Sequence, residues 1–191
     1  MNVGLAARLE AILRGTPGVM QVLEAARSLA LPDWMLFSGA VYQPVLNHLT
    51  GRPLDHGIKD YDLAYFDADL SWEAEDRVIR RVAAAFAPPL RALVEVRNQA
   101  RVHLWFEAKF GEPYAPLQTT AEALSRFVST ANAVGVRLDA DGRIAVTAPF
   151  GLEDLFALRL RPTPRRPQGF DRIAAGMVAR WPELTIEALP G

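Results

Sequence analysis

The chain has 191 residues, a formal net charge of −1 and hydrophobic residues at half of its positions. That composition excludes a polar disordered chain, and it excludes a global positive field that would draw the protein onto nucleic acid or an anionic membrane. The absence of cysteine removes disulfides, thiolate metal sites and cysteine nucleophiles from consideration. Arg8 and Glu10 interrupt the N-terminal stretch MNVGLAARLEAILRG, so no signal peptide is expected there, and no apolar run reaches membrane-spanning length. The expectation is a soluble, cytoplasmic protein for which nucleic acid is a possible partner that charge does not favour.

In chain order, Leu5, Leu9, Ile12 and Leu13 recur at helical spacing, and a second helix is expected over about Val19 to Ala30, stopped by Pro32. Trp34 to Phe37 reads as a short buried strand, and Ser38-Gly39 as a tight turn. A helix follows over Ala40 to Leu49 with Pro44 in its first turn. Tyr61 to Phe66 reads as the next strand. Ser71, followed by Glu73 and Glu75, starts a helix that runs to about Phe86. Ala92 to Val96 reads as a third strand, Asn98 to Phe110 as a helix, and Thr119 or Thr120 as the cap of a short one. Asp141-Gly142, between Val134–Leu138 and Ile144–Thr147, signals a β-hairpin. Gly151 to Leu160 and Phe170 to Trp181 read as closing helices. Arg161 to Pro167 reads as a linker, and its arginines (with Arg159, Arg161, Arg165 and Arg166 forming the densest basic stretch) as a solvated loop. The expected fold is mixed α/β: a small mixed sheet flanked by helices, with a hairpin and C-terminal helices. We expect residues 1–150 to form the main domain and 151–191 a helical extension packed on it.

Three features fall at the ends of three successive strands. Ser38-Gly39 joins a strand to a helix, where a glycine and free helix N–H groups can hold a phosphate. Asp60 and Asp62, two apart in a strand, point to one face and would repel unless a cation lies between them. Magnesium, which takes carboxylate and phosphate oxygens, suits them. Glu95 stands inside the apolar run Leu93-Val94-Glu95-Val96 and needs a partner: Arg97, Arg101, or a metal shared with Asp60 and Asp62. Beyond that strand, Arg97 and Arg101 suit triphosphate oxygens, and Asn98 can orient an acceptor or a base. The structural alternative has Asn98 capping a helix and Arg101 neutralising Glu95.

The run Ser38-Gly39-Ala40-Val41, then Leu49-Thr50-Gly51-Arg52-Pro53, then Asp60-Tyr61-Asp62 resembles the head of the nucleotidyltransferase superfamily, which includes the CCA-adding enzymes and the DNA polymerase beta-like enzymes. The segments DYDLAYFDADLSWEAE, EVRNQARVHLWFEAKFG, TANAVGVRL and APFGLEDLFALRLRP are similar to a bacterial family of nucleotidyltransferases, from about Leu36 to Trp181. The resemblance implies that Ser38 and Gly39 form the phosphate turn and that Asp60 and Asp62 ligate magnesium or manganese. It makes Glu95 the third acid, which helps to deprotonate or orient the acceptor hydroxyl. There are departures: Ala40 stands where a second Gly or Ser is usual, and Tyr42-Gln43 stands where the CCA-adding enzymes carry Arg-Asp. The implied activity is transfer of a nucleoside monophosphate from a nucleoside triphosphate to a hydroxyl on a small molecule, a protein or an RNA end. The alternative is an inactive nucleotide-binding or antitoxin-like module.

Overall fold

The computed structural model describes residues 3–164 and 169–188. Arg165 and Arg166, and with them the C-terminal part of the expected linker, lie outside the described residues. Two helices open the chain, α1 (Val3–Arg14) and α2 (Pro17–Leu29). Pro17 occupies the first turn of α2, where its missing N–H has no helical partner to lose. After them come β1 (Met35–Phe37), α3 (Gly39–Leu49), β2 (Tyr61–Tyr65), α4 (Trp72–Ala84) and β3 (Val94–Asn98). A 3-10 helix over Gln99–Leu104, α5 (Phe106–Phe110) and α6 (Thr120–Leu124) precede the hairpin of β4 (Gly135–Leu138) and β5 (Ile144–Thr147). The chain closes through α7 (Glu153–Phe156), β6 (Arg159–Leu160), α8 (Phe170–Arg180) and β7 (Thr185–Ile186).

The five-stranded sheet has the order β3-β2-β1-β4-β5. Strands β2 and β3 are parallel, and the other neighbouring pairs are antiparallel. Strand alternation divides its two faces. Leu36, Tyr61, Leu63, Tyr65, Val96, Val136 and Leu138 belong to the main hydrophobic core, together with residues of the surrounding helices such as Leu13, Leu23, Val45 and Val82. Phe37, Asp62, Glu95 and Gly135 lie in one cross-strand row on the other face, since Phe37 pairs with both Asp62 and Gly135, and Asp62 pairs with Glu95. A layer behind one face of the sheet therefore leaves its other face available for chemistry.

Several expected elements take a different form. Helix α3 begins directly at Gly39, so Pro44 lies inside it rather than in the first turn. The helix tolerates this because every residue from Gly39 to Asn47 is buried and packing holds it in place. Asn98–Phe110 is not one helix. The strand continues to Asn98, which pairs with Tyr65, and the Asn98 side chain accepts from the Ala100 N–H at 3.1 Å, starting a 3-10 turn. Gly151–Leu160 yields only the short α7, because Leu158 adopts a left-handed φ of 54°. Arg159–Leu160 then pairs in parallel with Thr185–Ile186, a long-range partnership that local spacing does not signal. The Asp141-Gly142 hairpin forms as expected: Asp139 and Arg143 close it, and Gly142 sits at φ 80°.

The C-terminal segment shares the core. Leu152, Leu155, Leu160, Met177 and Trp181 join the same hydrophobic cluster as the sheet and α3. Arg159 pairs with Asp154 at 3.1 Å and Arg161 with Glu187 at 2.7 Å, so these two arginines of the basic stretch serve structural pairs. Trp181 is 1% exposed and its indole N–H donates to Oδ1 of the fully buried Asn47 at 2.9 Å. Trp181→Phe should therefore lower the free energy of unfolding by about 1–3 kcal/mol, because it strands a buried acceptor. Trp181→Ala should cost about 3–5 kcal/mol. Urea denaturation checks both, and a loss confined to local unfolding of the C-terminal segment would contradict a shared core.

Candidate active site

The turn between β1 and α3 brings backbone strain and chemistry together. Ser38 has φ 67° and ψ −144°, a region populated almost entirely by glycine, which costs a residue with a side chain roughly 1–3 kcal/mol. Its carbonyl accepts from the N–H groups of Val41 and Tyr42 and so opens α3. Its hydroxyl lies on the Asp62 side of the turn, near enough to lower that carboxyl. A Cβ added at Gly39 would come 2.5 Å from Nε2 of Gln43, so a larger residue at the first position of the helix would have to displace the end of that side chain.

Asp62 is half-buried, whereas Asp60, just before β2, and Glu95, on β3, are exposed. Burial and the charge of Asp60 push the Asp62 carboxyl up to about 6, and the charge of Glu95 adds to the rise. The Ser38 hydroxyl and the Arg97 guanidinium oppose it. Asp60 also acts on the α3 side: its charge, with burial, raises the Tyr42 phenol, while Arg180 lowers it. Arg97 lies 3.7 Å from Glu95, with both side chains about half exposed. Among the described residues, no three His, Asp or Glu side chains are gathered closely enough to hold a metal ion by themselves.

The structure brings together Ser38, Gly39, Asp60, Asp62, Glu95 and Arg97, and it takes Asn98 and Arg101 elsewhere. Asn98 is 1% exposed and points to the helix side of the sheet. Its amide donates to the Asp67 carbonyl at 2.8 Å and its oxygen accepts from the Asp67 N–H at 3.0 Å, tying the loop after β2 to the end of β3. Arg101 forms a buried ion pair with Glu75, whose other oxygen accepts from the Asn98 N–H at 2.9 Å. Glu95 is thus neutralised by Arg97 rather than by Arg101. The buried role of Glu75 was encoded in the sequence: it shares a helical face with Val78, Ile79 and Val82, the stripe that packs on the core. Removing one partner leaves a buried charge, so Arg101→Met should reduce stability by about 3–5 kcal/mol in chemical denaturation. Among folded molecules it should leave nucleotide affinity unchanged, and a selective loss of nucleotide binding would return Arg101 to the site.

Two cavities meet at Ser38. One, of about 330 Å³, is lined by Asp62, Arg97, Gln99 and Arg126 and by the rings of Phe37, Trp105, Phe106, Phe110, Tyr114 and Phe127. The other, of about 310 Å³, contains Tyr42, Asn132 and Arg172. Both are bordered by Ser38, Phe110 and Phe127. Phe127 and Arg126 come from the segment after α6, far from the carboxylates in sequence, and no local pattern marks them as part of the site.

A family model described as a nucleotidyltransferase matches residues 24–186. The chain belongs to this nucleotidyltransferase family. An NMR structure described as revealing a CCA-adding enzyme head domain is similar to it, with a TM-score of 0.75, 24% sequence identity and 95% of each chain covered, a likeness of fold. No curated protein matches the sequence significantly. No helix among the described residues of this nucleotidyltransferase is long and apolar enough to cross a membrane.

The environment of Asp62 has a measurable consequence. The folded protein keeps this proton up to about pH 6, whereas an unperturbed aspartate releases it near 3.8. Stability is therefore lost as pH rises between these values, by up to about 3 kcal/mol once Asp62 is ionised in the ligand-free protein. Asp62→Asn should be more stable than the wild type at pH 7.5, with the difference shrinking towards pH 4. Urea midpoints across this range check it, and a difference that does not depend on pH contradicts the assignment.

Proposed function

We propose that this nucleotidyltransferase moves a nucleoside monophosphate from a magnesium-bound nucleoside triphosphate to a hydroxyl acceptor and releases pyrophosphate. The observation that carries the reading is the strained Ser38, which borders the same cavity as Asp62 at the point where helix α3 begins. Strain of this kind persists where the surrounding structure enforces it, and such positions cluster at functional turns.

The donor set fits a divalent cation. Two carboxylates two residues apart suit magnesium, which is bound through one or two carboxylates and completes its shell with water and substrate phosphates. Asp60 and Asp62 would hold it, and when bound it neutralises charge that develops on the phosphates. The repulsion that raises the Asp62 carboxyl is relieved by the same positive charge. Gly39 lets the terminal phosphates approach the N–H groups at the start of α3, where the helix dipole favours an anion. Glu95, opposite Asp62 in the ladder, takes the proton of the acceptor hydroxyl. The new bond forms between that oxygen and the α-phosphorus, and the bond to the leaving pyrophosphate breaks. Arg97 offsets the charge of Glu95 and faces the phosphates with a fork of donors.

Calorimetric titration with each of the four nucleoside triphosphates, with and without magnesium, tests the proposal. At least one should bind only when magnesium is present, and Asp60→Ala should weaken it by tenfold or more while leaving the fold intact by circular dichroism. Unchanged affinity in that variant would remove Asp60 from the site. Binding without transfer to any hydroxyl would favour a nucleotide-binding module.

A further inference from the structure

We propose that the aromatic cavity beside Asp62 is the acceptor site, and that it takes a small ring-bearing hydroxyl compound with an anionic group, of the class of aromatic hydroxy acids. The inference rests on the nucleotidyl-transfer reading and names its second substrate. At about 330 Å³ the cavity is at the small end of pockets that enclose single small ligands. Its walls are ring faces and edges: Phe37 meets Phe127 edge-on with centroids 5.5 Å apart, and Phe106 and Tyr114 lie 4.4 Å apart. Such a lining selects a flat apolar body.

The cavity also contains an arginine, Arg126, with one unpaired donor. The Arg126 guanidinium sits 5.4 Å over the Tyr114 ring, and its Nε is buried with no hydrogen-bond partner among the described residues. A buried N–H left unpaired is unfavourable, and an anionic oxygen entering the cavity satisfies it with a charge-assisted bond. Asp62 opens into this cavity and not into the second one, which lies across Ser38 with Tyr42, Asn132 and Arg172. A triphosphate on the start of α3 has that more polar space beside it. The aromatic space is left for the molecule whose hydroxyl must reach the reacting phosphorus. A chain of net charge −1 offers no general field for a polynucleotide acceptor.

The test is NMR titration of the full chain, following the Trp105 indole signal, with 4-hydroxyphenylacetate, with neutral 4-methylphenol, and with each nucleoside triphosphate plus magnesium. The expected result is that 4-hydroxyphenylacetate shifts Trp105 at lower concentration than 4-methylphenol does. Arg126→Met should weaken the anionic probe by about tenfold, the scale of one charge-assisted hydrogen bond. The same variant should leave 4-methylphenol and nucleotide binding unchanged, which also shows that it folds, and Arg126→Lys should restore part of the preference. Equal affinity for the two phenols, no binding of either at millimolar concentration, or an Arg126→Met variant that binds the anion normally would overturn the proposal. A nucleotide that itself shifts Trp105 would make the cavity the base site, overturning the acceptor assignment while leaving nucleotidyl transfer standing. Failure of every nucleotide to bind would overturn both.

Discussion

A carboxylate on a half-covered sheet face resists ionisation, and the site of this nucleotidyltransferase is arranged around that resistance. Asp62 has Asp60 before it in the chain and Glu95 across the ladder, and burial adds to their repulsion. The Ser38 hydroxyl and the Arg97 guanidinium act in the other direction. The ligand-free arrangement is therefore electrostatically unfinished. In the proposed function, a bound cation supplies the positive charge that this arrangement lacks. The strained backbone at Ser38 belongs to the same arrangement, because it lets one turn open α3 and present its hydroxyl to Asp62.

The opposite side of β3 is held by a different kind of electrostatics. Glu75, Arg101 and Asn98 form a buried, hydrogen-bonded group that anchors α4 and the loop after β2 to the strand carrying Glu95 and Arg97. Buried pairs of this kind contribute geometry more dependably than net stability. Here they fix the β3 end from behind, while the residues on its outer face remain half exposed and able to meet a substrate. Alternation along one strand thus separates residues that hold the structure from residues that face the chemistry.

Helix α3 links the site to the rest of the molecule. It starts at the strained turn, is buried along most of its length, and receives the C-terminal segment through Asn47 and Trp181. That segment also brings Arg172 to the polar cavity. Stability of the core and shape of the site are consequently coupled through a single helix, and the C-terminal elements contribute to both.

Much of this was legible in the sequence. Apolar periodicity marked α1 and α2, Ser71 with the acidic turn after it marked α4, the Asp141-Gly142 turn marked the hairpin, and Ser38-Gly39 with Asp60 and Asp62 marked the strand ends where the proposed site lies. These signals are local: helix spacing, turn chemistry and i, i+2 alternation depend on neighbours in the chain. The partner of each charge was not legible, because it depends on which elements pack together. The helical stripe marks Glu75 as buried, but its partners are set only when β3 lies against α4. Arg101 and Asn98 read as site residues until the end of β3 and the 3-10 turn after it set them against Glu75 of α4. Arg126 and Phe127 join the cavity only because the chain returns to the open face of the sheet after α6, and β6 exists only because β7 lies beside it. The sequence by itself determined the elements and the acidic motif. Only the tertiary structure decided which arginine faces a carboxylate, which is buried against one, and which is left beside an aromatic cavity, since burial and charge pairing are properties of neighbours brought together by folding.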